Sequence, residues 1–339
     1  MLKIATLSRQ SVGIAPLRET HLHKKSRMQW ISHFQTRRNI RTVKNMKFHL
    51  LTLYCMMLVA AAWSQQIPDT SRFFTITDPS FPAGQGPVVM VDAAHNNFHT
   101  LDGRYAAFGN ILKADGYRTV SNEKAITPEV LAGCDIYVIS NPLHASNVGS
   151  WQLPNPSAFT ASEITALQQW VSAGGRLFLI ADHMPFAGAA QDLGRAFGFE
   201  FFNCFATDQN RTPDYFSYEN GMLYDTEITQ GIDSILTFTG SAFAIPSNAT
   251  PVASFSEEFI LLMPVVAWQF TDDTPVFNGK GLHQLAYRTY GEGKVFLSGE
   301  AAMFSAQLAG PQQQRMGLNN PAARKNIDLL RRIVAWLAS

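Results

Sequence analysis

The chain has 339 residues, of which 46% are hydrophobic and 12% aromatic, so it can form one large or two modest domains and lacks the composition of a disordered protein. Its formal net charge of +1 averages two unlike parts. Residues 1–45 hold ten Lys or Arg and one acid, whereas the chain from Gln65 onward holds sixteen basic and twenty-five acidic side chains. The folded part is therefore acidic, which argues against a nucleic-acid partner.

The stretch that begins at Met46 has the layout of a secretory signal peptide. A short basic start precedes an apolar run from Leu50 to Ala62, and Ala62 and Ser64 occupy the −3 and −1 positions of a cleavage site. The apolar run is too short to cross a bilayer comfortably. We predict cleavage after Ser64, a secreted or periplasmic location, and no membrane attachment after cleavage. An uncleaved anchor is the alternative.

This prediction divides the chain. Residues 1–45 are upstream sequence from a wrongly chosen start codon or, less favoured, a basic targeting leader, and residues 46–64 are the signal peptide. Residues 65–87 form a lead-in that contains Pro and Gly. Residues 88–339 form a single domain with an elaboration around residues 199–277, where short aromatic runs and turns indicate added strands and loops.

Strand-like and helix-like segments alternate from residue 88, a pattern typical of a parallel sheet with helices on both faces. The predicted strands are VVMVDAAH, YRTVS, DIYVIS and RLFLIA. One helix is predicted from about Leu101, with Gly116 just past its end. Further helices are predicted after Thr127-Pro128 and from the capping box of Thr160 and Glu163. Two late strand runs, HQLAYRTY and KVFLSGE, flank a Gly-Glu-Gly turn, and an amphipathic helix closes the chain after Asn320-Pro321.

Polar side chains follow several of these strands. The ligand crevice of an open parallel sheet lies at the carboxyl ends of its strands, so we expect these side chains to meet at one rim. The candidate catalytic residues are Asp182, His183 and Glu300, and the candidate ligand-binding residues are Asp92, His95, Asn96, His99, Asn141 and His144.

Each candidate also has a structural alternative. His99 and His144 could cap helices or bond backbone carbonyls, Asp92 could cap a loop, and Glu300 could cap the helix-like AAMFSAQL segment. Asp182 and His183 are the strongest candidates, because two adjacent polar side chains at the end of a buried strand need their hydrogen bonds satisfied.

The segments GGRLFLIADHMPF, YGEGKVFLSGEAAMF and NPAARKNIDLLRRIVAWL, with the element order, resemble the class I glutamine amidotransferase-like superfamily from about residue 88 to the C-terminus. They look similar to an exported branch of unknown function. The resemblance implies a flavodoxin-like α/β sandwich of three layers with a mostly parallel sheet.

The resemblance also implies a cysteine nucleophile in the turn after the fourth strand, with a His and a Glu after a late strand. In this chain Ala181, Asp182 and His183 occupy that turn and no cysteine is near, while Glu300 lacks the expected histidine neighbour. We therefore do not expect glutamine hydrolysis by the superfamily's route.

Two functions stay open. The first is a hydrolase, in which His95, Asp182 and His183 bind a divalent metal that activates water, or in which His183 acts as base without a metal. Mixed His and carboxylate ligands suit zinc, manganese or iron. The second is a catalytically inactive module that binds a carbohydrate or another small molecule. Its ligand contacts would come from His95, Asn96, Asn97, Phe98 and Phe186.

Overall fold

The computed structural model describes residues 66–71, 74–209 and 214–339. The predicted leader and signal peptide lie outside the described residues. Within the described ranges, no helix is long and apolar enough to cross a membrane.

A nine-stranded mixed sheet forms the centre of the molecule. Its parallel part contains β2 (Val88–Asp92), β3 (Arg118–Asn122), β4 (Ile136–Ser140), β5 (Arg176–Ile180) and β15 (Gly293–Ser298). These five strands lie in the order β3-β2-β4-β5-β15, which is the flavodoxin-like order 2-1-3-4-5. The direction of winding therefore reverses between β2 and β4, where such sheets bind ligands.

Next to β15 in the sheet lies β14 (His283–Tyr290), which is antiparallel to it. A short hairpin turn joins the end of β14 to the start of β15. β6 (Glu200–Phe202) and β10 (Ala242–Ala244) extend that side, and β11 (Thr250–Ser254) also pairs with β14. The remaining strands form three small sheets. The first contains β1 (Gln66–Pro68), β16 (Ala306–Ala309) and β17 (Gln314–Gly317), and the second contains β7 (Phe205–Asp208), β12 (Phe259–Leu262) and β13 (Val276–Asn278). The third pairs β8 (Asp214–Ser217) with β9 (Ser234–Thr237).

Helices cover both faces of the central sheet. They are α1 (Ala106–Ala114), α2 (Pro128–Leu131), α3 (Ala161–Ser172), α4 (Phe186–Ala196) and α5 (Lys325–Ala338). Phe178 and Ile180 of β5 pack into the core on the α1 and α5 side, whereas Leu177 and Leu179 pack into the core on the α3 and α4 side. A strand buried on both faces reads as a continuous apolar run. The three-layer α/β fold predicted from the sequence is confirmed.

Local sequence signals account for several element boundaries. The hydroxyl of Thr127 accepts a hydrogen bond from the Val130 backbone N–H at the start of α2. Thr160 and Glu163 form the predicted capping box at the start of α3. The prediction was wrong for AAMFSAQL, which forms a single 3-10 turn at Ala302–Phe304 followed by β16 rather than a helix.

Candidate functional site

A cleft of about 560 Å³ opens at the carboxyl ends of β2, β4 and β5. Its volume lies in the range of small-molecule sites. Six residues predicted from the sequence line it: Phe98, His99, Asn141, Asp182, His183 and Phe186. The other lining residues are Gln66, Arg104, Trp151, Phe238, Thr239, Trp268, Ala302, Gln307 and Met316.

Asn141 connects the three strand ends that build the cleft. Its backbone N–H donates to the Ile180 carbonyl at 2.9 Å, and its own carbonyl accepts from the Phe98 N–H at 2.9 Å. Its side-chain oxygen accepts from the Asp182 N–H, also at 2.9 Å. Asn141 has a left-handed φ of 47°, which Asn tolerates better than most residues. One residue thus fixes the loops after β2, β4 and β5 relative to one another.

Asp182 and His183 form the turn after β5. Oδ1 of Asp182 accepts from the His183 backbone N–H at 2.7 Å. Nδ1 of His183 lies 2.6 Å from the Met184 carbonyl oxygen, and a carbonyl can only accept, so Nδ1 carries the hydrogen. Within the described residues no protein atom hydrogen-bonds Nε2 of His183. The imidazole is therefore held in one orientation with its second nitrogen available.

Aromatic rings surround the His183 imidazole. It stacks on Phe205 with ring centroids 4.4 Å apart and meets Trp268 edge to face at 4.8 Å. Trp151 and Phe186 lie farther away at 6.1 and 5.7 Å. These contacts restrict ring rotation and make the surroundings of His183 largely apolar.

Several lining residues keep a buried polar atom without a protein hydrogen-bond partner in the described structure. These atoms are both ring nitrogens of His99, Nδ2 of Asn141, Nε of Arg104 and Oε1 of Gln307. Burial, together with the charges of Arg104 and His183, lowers the pKa of His99 well below its usual value. His99 is therefore neutral and offers one donor and one acceptor. Buried polar groups in native proteins are normally paired, so this concentration in one cleft is unusual.

His95 belongs to a separate buried network. Its Nδ1 lies 2.8 Å from Oδ2 of Asp92 and its Nε2 lies 3.0 Å from Oε1 of Glu163. Oδ1 of Asp92 accepts from the Tyr137 hydroxyl at 2.9 Å. Both imidazole nitrogens are thus occupied, and neither His95 nor Asp92 lines the cleft. The network joins the loop after β2 to the start of α3.

Glu300 also differs from its predicted catalytic role. Its side chain is fully buried, and its two oxygens accept from the backbone N–H groups of Ala302 at 2.8 Å and Met303 at 2.7 Å. Burial and the neighbouring charge of Asp182 raise the pKa of Glu300 well above its usual range, against the opposing effect of these hydrogen bonds. Glu300 caps the 3-10 turn and is absent from the cleft lining.

Two further predicted residues lie outside the cleft. Nδ1 of His144 accepts from the Ser146 N–H at 3.2 Å and caps a 3-10 turn. Asn96 lies on an adjoining groove, where its amide donates to the Leu143 carbonyl at 3.2 Å. The described residues contain no group of three His, Cys, Asp or Glu side chains placed to hold a metal ion. The proposed set of His95, Asp182 and His183 is therefore not brought together.

Neither cysteine of the domain is a nucleophile at this site. Cys134 and Cys204 are free thiols, and burial raises the pKa of each to about 12. Neither lines the cleft. This agrees with the absence of a cysteine from the turn after β5.

Arg104, Trp151, Trp268 and Gln307 were not predicted as site residues. Arg104 lies just before α1, and its guanidinium carbon sits 3.8 Å from the centre of the Phe98 ring. The two tryptophans come from loops that pair with each other through the Gln152–Val266 bridge. Trp268 also has a left-handed φ of 66°. No strand-end rule identifies such loop residues, although Trp and Arg are enriched at binding surfaces.

No protein-family model and no curated protein matches the chain. Among solved structures, the mmIFT52 N-terminal domain matches with a TM-score of 0.53 and 16% identity over 74% of this chain and 97% of that chain. A cytoplasmic protein from Salmonella typhimurium LT2 gives 0.43 and 12% over 74% and 99%. A protein described as thua-like from Bacteroides uniformis gives 0.42 and 12% over 77% and 92%.

The fold is a flavodoxin-like α/β sandwich of three layers. The match to the mmIFT52 domain exceeds a TM-score of 0.5 and, at 16% identity, shows a shared fold alone. The strand order and the three layers agree with it. Membership of the glutamine amidotransferase-like superfamily, and of an exported branch of it, stays a prediction.

The His95 network predicts a specific pH dependence of stability. Burial opposes the imidazolium, but the hydrogen bonds and charges of Asp92 and Glu163 outweigh it and raise the pKa of His95 above 6.5. A raised folded-state pKa stabilises the protein fully below the unfolded value and loses that contribution as pH rises through the folded value. His95→Gln should therefore cost about 3 kcal/mol near pH 6, and the cost should shrink toward pH 9.

Urea unfolding of both proteins between pH 5.5 and 9 measures this difference. Tyr137→Phe is the matched control, because it removes a hydrogen bond to Asp92 without changing the charge of the network. Its cost should stay constant across the same window. A cost of His95→Gln that does not vary with pH would contradict an imidazolium held between two carboxylates.

Proposed function

We propose that this protein binds a carbohydrate in the cleft at the carboxyl ends of β2, β4 and β5. The proposal rests on one observation: a single cleft combines aromatic walls with buried polar atoms that have no protein partner among the described residues. A sugar presents apolar C–H faces and a periphery of hydroxyl groups. It therefore needs the two kinds of surface that the cleft supplies.

The polar atoms match hydroxyl chemistry. Nδ2 of Asn141 is a donor, Oε1 of Gln307 is an acceptor, and the neutral His99 ring supplies one of each. A hydroxyl group can donate and accept a hydrogen bond at the same time, so one sugar can pair with neighbouring donors and acceptors of the protein. An unpaired buried polar group costs about 1–3 kcal/mol. A ligand that hydrogen-bonds to several of these groups removes that cost and gains binding free energy.

The charges favour a neutral ligand. The cleft is lined by one carboxylate, Asp182, and one guanidinium, Arg104. Two backbone carbonyls already accept from Arg104, the Gln66 oxygen at 3.0 Å and the Phe98 oxygen at 3.4 Å. A multiply charged nucleotide or phosphate would meet no surplus of positive charge here. The predicted export of the chain, which we retain as part of the proposal, fits an extracellular or periplasmic sugar.

Trp268 provides the test of carbohydrate binding. Its side chain is 50% exposed at the cleft wall, so Trp268→Ala removes an exposed stacking surface. We expect at least a tenfold loss of affinity by isothermal titration with the glycan selected by wild-type protein from an array of neutral oligosaccharides.

Phe277→Ala is the matched control, since Phe277 is an exposed aromatic residue on β13 that does not line the cleft. It should bind as the wild type does. Failure of the wild type to bind any array member, or equal losses in the two variants, would refute the proposal.

A second candidate function is hydrolysis of an ester on the bound sugar, which the geometry of His183 favours. With Nδ1–H donated to Met184, Nε2 can take a proton from water. The resulting hydroxide attacks the ester carbonyl carbon, and the departing alkoxide recovers the proton. Glycoside hydrolysis is less favoured because it uses two carboxylates. Here Asp182 lines the cleft, but Glu300 does not, and its oxygens are bonded to the backbone of the 3-10 turn.

His183→Gln separates binding from hydrolysis. It keeps the approximate size of the side chain but cannot act as a base, so acetate release from an O-acetylated oligosaccharide should fall at least about 100-fold. Affinity for the deacetylated sugar should change less than threefold. Equal acetate release by wild type and variant would exclude His183 as the base, and no release by the wild type would leave binding as the function.

A further inference from the structure

A second groove adjoins the cleft. It has a volume of about 730 Å³ and lies on the loops after β2 and β4. Phe98, Arg104 and Trp151 line both the groove and the cleft. These three side chains therefore form a shared ridge between two neighbouring spaces, and neither space is a separate site on another face of the protein.

The ridge is a packed and fixed structure. The rings of Phe98 and Trp151 meet edge to face with centroids 5.3 Å apart, and the Arg104 guanidinium covers Phe98 at 3.8 Å. The Arg104 Nη atoms donate to the Phe98 and Gln66 carbonyls. Its Nε has no partner among the described residues. A polar donor is thus present at the boundary that a ligand crossing from one space to the other would pass.

The groove itself has the mixed character of a sugar subsite. Its apolar surface includes Leu143 and Val148, and Val148 is 56% exposed. Asn96 contributes an exposed amide at the rim, whose Nδ2 donates to the Leu143 carbonyl while no described protein group bonds its oxygen. The groove therefore resembles the cleft in offering apolar surface next to a hydrogen-bonding group, here the amide oxygen of Asn96.

We infer that the ligand is a linear oligosaccharide that occupies the cleft and the adjoining groove together and crosses the ridge of Phe98, Arg104 and Trp151. This inference rests on the proposed carbohydrate binding and adds the length of the ligand. The continuity of the two spaces through shared side chains favours one extended occupant over two independent ones. On this inference, a mono- or disaccharide occupies the cleft alone and does not reach the groove.

Affinity as a function of chain length tests the inference. The probes are the disaccharide and the hexasaccharide of linear β-1,4-linked glucose, mannose, xylose and galactose, titrated by calorimetry against the wild-type protein. For the sugar whose disaccharide binds, we expect the hexasaccharide to bind at least tenfold more tightly.

Val148→Lys places a long charged side chain in the groove without touching the cleft. It should reduce hexasaccharide affinity at least fivefold and leave disaccharide affinity unchanged. Val276→Lys is the matched control, because Val276 is 52% exposed on β13 and lines neither space. It should match the wild type with both probes.

The outcomes separate this inference from the proposed function. If the disaccharide binds and the hexasaccharide gains nothing, or if Val148→Lys leaves the hexasaccharide unaffected, the groove is not a subsite and the carbohydrate cleft stands. If none of these probes binds but the oligosaccharide array yields another glycan, the disaccharide and hexasaccharide of that glycan decide the inference by the same criteria. If no array member binds either, both proposals are overturned. Two hexasaccharides bound per chain would replace one extended occupant by two independent ones.

Discussion

The hydrogen bond from the Asp182 backbone N–H to the side-chain oxygen of Asn141 is the constraint on which the site depends. It joins the ends of β4 and β5, and the backbone of Asn141 adds the loop after β2 through Phe98. The reversal of winding between β2 and β4 separates these ends enough to form a crevice. Asn141 fixes the width of that crevice. The positions of His99, Asp182 and His183 follow from it.

Satisfied and unsatisfied polar groups distinguish structural residues from candidate functional ones. The nitrogens of His95 and the oxygens of Glu300 all have protein partners, so these side chains stabilise the loop after β2 and the turn after β15. Asn141 and His183 each hydrogen-bond to the backbone through one side-chain polar atom and keep a second one available. A buried, half-satisfied group costs stability. The presence of several such groups in one cleft is therefore best explained by a ligand that forms the missing hydrogen bonds.

The sequence predicted the scaffold better than the site. Apolar runs, the capping box at Thr160 and the strand-end rule located the central sheet and placed His99, Asn141, Asp182 and His183 at one rim. The same rule included His95 and Glu300, because it gives the position of a residue and not the partner its side chain finds. Trp151 and Trp268 come from loops far apart in the chain. Their approach depends on the long-range Gln152–Val266 bridge, which no local pattern encodes.

The most direct measurement is a crystal structure of the protein grown with the hexasaccharide that it binds. We expect sugar density in the cleft, with hydroxyl groups within hydrogen-bond distance of Nδ2 of Asn141 and of a ring nitrogen of His99. We also expect density that continues past Phe98 toward Val148. Sugar bound on another face, with the Asn141 and His99 atoms still unpaired, would show that the strand-end cleft is not the ligand site.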